Sequence, residues 1–165
     1  MEIKQYIINR LLATRRRNVD KVVKFMDKNS FFEKSCHRHH RYLGGLSEHA
    51  WQTYQVAIYL KNEIMLQKSR FEPMDEDSIA ISTILHDICN CDGMPNIKGH
   101  GRRSVKILEE LEFQLKNDEY LAIRFHMGLH SKQTHRLYDK AKECCLLSIV
   151  HQADSISAKL GSGCM

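Results

Sequence analysis

Apolar residues recur along this chain mostly at intervals of three and four, the spacing of helices that each bury one face. Ile3, Ile7, Ile8, Leu11 and Leu12 form a first stripe, and Asn18 precedes a second made of Val22, Val23 and Met26. Asn18 is the residue type expected at a helix N-cap. Residues 28–43 show no period and read as irregular. Gly44-Gly45 then opens a long helix with Leu46, His49, Ala50, Thr53, Ala57 and Leu60 on one face. Asp75, Glu76 and Asp77 place negative charge in the first turn of the next helix, where it suits the macrodipole. That helix runs through Ile79, Ala80, Thr83, Ile84 and His86 to near Asn90. Gly93, Pro95, Gly99 and Gly101 mark residues 91–101 as a loop. Val105, Leu108, Leu111 and Leu115 predict a further helix, and Leu121, Ala122, Phe125 and His126 another. A last helix covers about 141–160, with Leu147, Val150, His151, Asp154 and Ala158 on one face. No segment alternates with a strand's period, so the fold class is all-α.

Three of these stripes carry a polar residue in the middle of an apolar face: His49, His126 and Asp154. A buried carboxylate without a partner is costly, so Asp154 needs one. The adjacent pair His86-Asp87 ends an apolar helix, which places two more candidates in the interior. One bound metal ion satisfies imidazole nitrogen and carboxylate oxygen together. Neighbouring helical residues point about 100° apart. His86 and Asp87 therefore clasp a single ion lying between their directions, or Asp87 reaches across to a second ion.

Composition narrows the class further. The length of 165 residues suits one domain, with 42% hydrophobic and 27% charged residues, and it needs neither disulfide nor metal merely to fold. Ten histidines are as many as the eight Gly and two Pro together, an excess that the metal reading explains in part. A net charge of +5 suits an anionic small molecule and does not by itself support a nucleic-acid partner. No apolar run is long enough to cross a bilayer, and the charged start carries no signal peptide. The six cysteines show no C-x-x-C pairing and read as free thiols of a cytoplasmic protein. Arg15, Arg16 and Arg17 read as a solvated stretch.

The ordered series His49, His86-Asp87, His100, His126 and Asp154 resembles the HD-domain superfamily of metal-dependent phosphohydrolases. Those residues stand in Gly-Gly-Leu-Ser-Glu-His (44–49), Ile-Leu-His-Asp-Ile-Cys (84–89), Lys-Gly-His-Gly (98–101), Ile-Arg-Phe-His-Met-Gly (123–128) and Val-His-Gln-Ala-Asp (150–154). Residues 39–46 also look like the HD domain of bacterial 3′-to-5′ exoribonucleases, although the chain has no room for their OB-fold domain. The resemblance implies a single HD domain over 1–165, with its motif-bearing core at about 37–160 and N-terminal helices 1–30 packed on it. It implies that His49, His86, Asp87 and Asp154 hold a first divalent ion. His100 and His126 match the extra ligands for a second, with Asp87 bridging. Fe, Mn, Mg, Co, Ni and Zn all suit such donors.

The implied reaction is hydrolysis of a phosphomonoester or phosphodiester, nucleotide-like in character, by a bridging hydroxide at the ions. Asp87 is its catalytic residue, and Lys98, Arg102, Arg103 and His130 are candidates for substrate contact. Two positions depart from the pattern: Asn90 stands where many members have a phosphate-contacting Lys, and Met127 where many have a second His. His39 or His40 lines the pocket in this reading, and His151 could support Asp154 from the same helix. Two rival readings share the residues. One is a mixed-valent di-iron oxygenase, and the other a non-enzymatic, metal-stabilised nucleotide-binding module.

Overall fold

A computed structural model describes residues 2–36, 38–67, 74–91, 99–128 and 135–161. Among them are eight α-helices, one short 3-10 turn and no strand, as the periodicity predicts. The order is α1 (Glu2–Ala13), α2 (Val19–Lys28), α3 (Gly45–Gln67), α4 (Glu76–Leu85), the 3-10 turn Ile88–Cys91, α5 (His100–Glu110), α6 (Asn117–Phe125), α7 (His135–Glu143) and α8 (Cys145–Leu160).

Helix α4 is the centre of the packing. Every residue from Ser78 to Leu85 is buried, so it is covered on all sides rather than along one stripe. Helices α1, α3, α6 and α8 all pack against it, α3 also packs along α8, and α6 is wedged between α5 and α8. A polar start makes this burial affordable for the backbone: the Asp75 carboxylate caps α4 by accepting from the Asp77 N–H at 3.0 Å. Ile81, Ile84 and Leu85 are fully buried. Truncating any one to Ala would cost about 2–5 kcal/mol.

Apolar side chains gather on two sides of this axis. Ile7, Leu11, Val22 and Met26 of α1 and α2 join Leu46, Ile81, Ile84 and Leu108 in one cluster. Leu121, Ala122, Leu147, Val150 and Ala153 of α6 and α8 form the other with Ala57 and Ile79. Most of the buried stripes are those read from the sequence; Leu12 of the first is exposed.

Three boundaries differ, each for a local reason. The helix expected to reach Asn90 stops at Leu85, and the chain turns through His86 and Asp87 into the 3-10 turn. The helix expected at 141–160 is two helices, because Cys144 turns to an extended conformation and its Sγ accepts the Leu147 N–H. Helix α5 ends at Glu110, before Leu115, where the Leu111 and Glu112 N–H groups close its last turn. Asn18 sits before α2 as expected, but with φ of 63° and no side-chain cap; its Nδ2 donates instead to Glu112 O.

The Arg15–Arg17 stretch is not wholly solvated. Arg16 makes a bidentate pair with the fully buried carboxylate of Glu119, at 3.0 and 2.9 Å. Glu119 also accepts from Ser78 Oγ at 2.8 Å and from the Lys116 backbone N–H at 2.7 Å. One carboxylate thereby ties the α1–α2 connection to the starts of α4 and α6. No described helix is long and apolar enough to cross a membrane. The described cysteines are free thiols, four of them buried and Cys145 exposed.

Candidate metal centre

Five elements converge to bring six side chains together. His49 lies on the buried face of α3, His86 and Asp87 on the turn that ends α4, and His100 on the first residue of α5. His126 follows the last residue of α6, and Asp154 sits in the middle of α8. Asp154 Oδ1 lies 3.1 Å from His49 Nε2 and 3.7 Å from His86 Nε2. Asp87 lies 3.6 Å from His86 Nε2, 3.2 Å from His100 Nε2 and 3.5 Å from His126 Nε2. Nitrogen and oxygen atoms of His49, His86 and Asp87, of His86, His126 and Asp154, and of Asp87, His100 and His126 form groups compact enough to hold an ion.

Close approach of α5 to α6 depends on Gly101. A Cβ there would fall 2.5 Å from Ile123 O and 2.6 Å from Arg124 O, so any side chain would push the helices apart. With glycine, His100 Nε2 comes within 2.9 Å of His126 Nε2.

The second nitrogen of each buried ring fixes its tautomer. His86 Nδ1 lies 2.6 Å from Thr83 O and His126 Nδ1 lies 2.7 Å from Ile123 O. A carbonyl only accepts, so both Nδ1 atoms carry a proton, and in the neutral rings both Nε2 atoms present a lone pair. His49 Nδ1 lies 3.0 Å from Ser157 Oγ, whose own proton can go to His49 O or Gln52 Oε1. His49 Nε2 is thus also a lone-pair donor. Ligating histidines are held in this way, with the far N–H fastened to an outer acceptor.

Three of the inward atoms, His49 Nε2, His86 Nε2 and Asp87 Oδ1, are buried without a hydrogen-bond partner. Their close neighbours lie within ion-pair distance but not in hydrogen-bonding geometry. Such groups are rare in folded proteins and costly to leave unsatisfied. Three convergent lone-pair donors at one point fit a divalent cation.

The electrostatics agree. Burial disfavours the Asp87 carboxylate, yet His86, His100 and His126 outweigh it and hold its pKa well below the usual value. Asp154 is likewise lowered, burial being outweighed by His49 and His86. Burial drives His86 down to about 4, so it is neutral near neutral pH. His126 is also buried, but its contact with Asp87 prevails and its pKa rises. Burial and the two carboxylates push the nearby Cys36 thiol upward, which keeps it protonated and unreactive.

The structure therefore brings together all six residues singled out as ligands. The proposed substrate contacts fare differently. Arg102 is exposed in the first turn of α5. Arg103 is half-buried, and its Nη2 donates to Cys89 O at 2.7 Å, fastening α5 to the 3-10 turn. Lys98 and His130 lie outside the described residues. His151 is exposed rather than part of the buried α8 face, but its Nδ1 lies 2.5 Å from His126 O. Ser157 was not legible as part of the site. It lies three residues after Asp154 on the same α8 face, and that spacing is the one signal that could have found it.

Residues 46–159 match the HD domain family, and the chain belongs to it. The matched span contains all six clustered side chains. Most of that family are metal-dependent phosphohydrolases whose site binds divalent ions. No curated protein and no solved structure gives a significant match to the chain.

Proposed function

We propose that the chain is a metal-dependent phosphohydrolase that cleaves a phosphomonoester or phosphodiester of nucleotide-like character. The observation that carries this reading is the convergent donor set of four imidazoles, all but His100 buried, and two buried carboxylates, with three inward atoms left unsatisfied by the protein. His49, His86, Asp87 and Asp154 would hold one divalent ion and Asp87, His100 and His126 a second, with Asp87 shared as the catalytic residue. Ions so held supply hydroxide near neutral pH and neutralise charge growing on phosphoryl oxygens.

The protein's own groups provide orientation. Thr83 O, Ile123 O and Ser157 Oγ keep the ring nitrogens turned inward. Arg102, exposed in the first turn of α5, would meet an anionic substrate. Lys98, Arg103 and His130 complete the proposed contacts, and the partner is a small phosphorylated molecule.

Elemental analysis of the purified protein, then a panel of phosphomonoesters and phosphodiesters with Mn, Fe, Co, Ni and Mg, tests the proposal. Metal-dependent turnover that disappears with the metal in Asp87→Ala is the expected result. No bound metal and no turnover with any of these ions would overturn it. Iron content with substrate-dependent oxygen uptake would instead favour the di-iron oxygenase.

A further inference from the structure

One imidazole beside the centre is not among its six ligands, although it groups with His40 and His49 closely enough for the three to share an ion. His39 is half-buried, and its ring centroid lies 4.4 Å from that of His49. His49, His86, His100 and His126 each put a nitrogen within 3.7 Å of Asp87 or Asp154. Among the described residues no such pair involves His39. It lies beside His49, outside those contacts.

A chain of hydrogen bonds decides what His39 can offer there. Gln52 Nε2 donates to Glu48 Oε1 at 3.1 Å, and a carboxylate only accepts, so the amide orientation is fixed. Gln52 Oε1 is then the acceptor that faces His40 Nε2 at 2.9 Å, and His40 must carry its proton on Nε2. Neutral His40 consequently has a lone pair on Nδ1. That atom lies 3.0 Å from His39 Nδ1, so His39 must donate from Nδ1. The remaining nitrogen of His39, Nε2, is left as an acceptor. His40 cannot easily swing out of this chain. It is fully buried, and its ring is packed so closely on Gly161 that a Cβ there would meet it at 2.1 Å.

Resting on the hydrolase reading above, we infer that His39 is a further catalytic residue. Its Nε2 accepts a hydrogen bond from the attacking water and orients that water's lone pair toward phosphorus. The relay His39–His40–Gln52 holds the ring in the tautomer this requires. The same Gln52 oxygen lies 3.4 Å from Ser157 Oγ, which fastens His49. One amide therefore lies within reach of both His40 and the hydroxyl that holds His49.

Two measurements on the full chain test this. Long-range 1H–15N correlation spectra of the metal-free protein should show His39 protonated on Nδ1 and His40 on Nε2, with both assignments disturbed in Gln52→Leu. Hydrolysis of bis(4-nitrophenyl) phosphate by the Mn-loaded protein is the second. His39→Asn keeps an N–H toward His40 but removes the acceptor. It should lower kcat by about tenfold, the worth of about one hydrogen bond, with KM and Mn content unchanged. His39→Gln, whose carbonyl can take the place of Nε2, should recover most of the loss. A proton on His39 Nε2, an unchanged kcat in His39→Asn, or loss of Mn with it would overturn the inference. A wild-type protein that holds Mn but hydrolyses no ester would refute the hydrolase reading and the water contact, while the spectra would still decide the tautomers.

Discussion

Replacing Glu119 with Ala should destabilise the fold by about 3–4 kcal/mol, and the figure follows from four contacts. The carboxylate is fully buried and holds both Arg16 nitrogens, Ser78 Oγ and the Lys116 N–H. Removing one partner of a buried ion pair costs about 3–5 kcal/mol, because the remaining charge keeps its desolvation penalty. Two features place this case toward the low end. Arg16 Nη2 still donates to Gln114 O, and Ser78 Oγ still reaches Asp75 Oδ2 at 3.0 Å. Losing the acceptor for the Lys116 N–H at the start of α6 adds about 1 kcal/mol, the ordinary worth of a helix cap. A chain of this size loses roughly 2–4 °C of Tm per kcal/mol, so the shift should be about 6–16 °C.

Thermal and urea unfolding followed by far-ultraviolet circular dichroism would measure the loss. Adding Arg16→Ala tests its origin. If the pair is the cause, the double variant should lose at least about 1 kcal/mol less than the sum of the single losses. Because the carboxylate is buried, moderate salt should leave most of the effect in place. A Tm loss under about 2 °C, or strictly additive single losses, would refute this reasoning.

Other consequences follow from the site and its supports. Mn²⁺ at about one hundred times its Kd should add about 2.7 kcal/mol of stability, a Tm rise of roughly 5–11 °C that chelation reverses and that is absent in Asp87→Ala. Gly101→Ala forces a Cβ into Ile123 O and Arg124 O, so it should cost about 1–3 kcal/mol and weaken Mn²⁺ binding by separating His100 from His126. Thermal melts and Mn²⁺ titration would check both effects. Ser157→Ala removes the acceptor that fixes His49, and should weaken metal binding about tenfold or more in the same titration while the fold persists. Asp75 is held at about 2, below its ordinary 3.8, chiefly by its hydrogen bond with Lys116. The stability it contributes is complete above about pH 4 and is lost as pH falls through about 2. Asp75→Asn should flatten that part of an acid-unfolding curve, and an unchanged curve would refute the coupling.

The helical class and most buried stripes were legible in the sequence, because a helix's period is a local property. The His–Asp series was legible in order for a related reason: a polar residue within an apolar stripe must be buried, and burial demands a partner. Boundaries were less legible where a side chain or turn competes with the helix, as at Cys144 and after Leu85. Arg16 read as solvent-facing since nothing near it in the chain reveals a buried carboxylate 103 residues away. Tautomers were beyond reach from composition or spacing. They depend on which atom meets Thr83 O, Ile123 O, Ser157 Oγ or Gln52 Oε1 across separate helices. The sequence alone determined which donors are present and that they must share an interior. Only the tertiary structure decided which partner each ring of His39 and His40 meets, and hydrogen-bond direction is set by that partner.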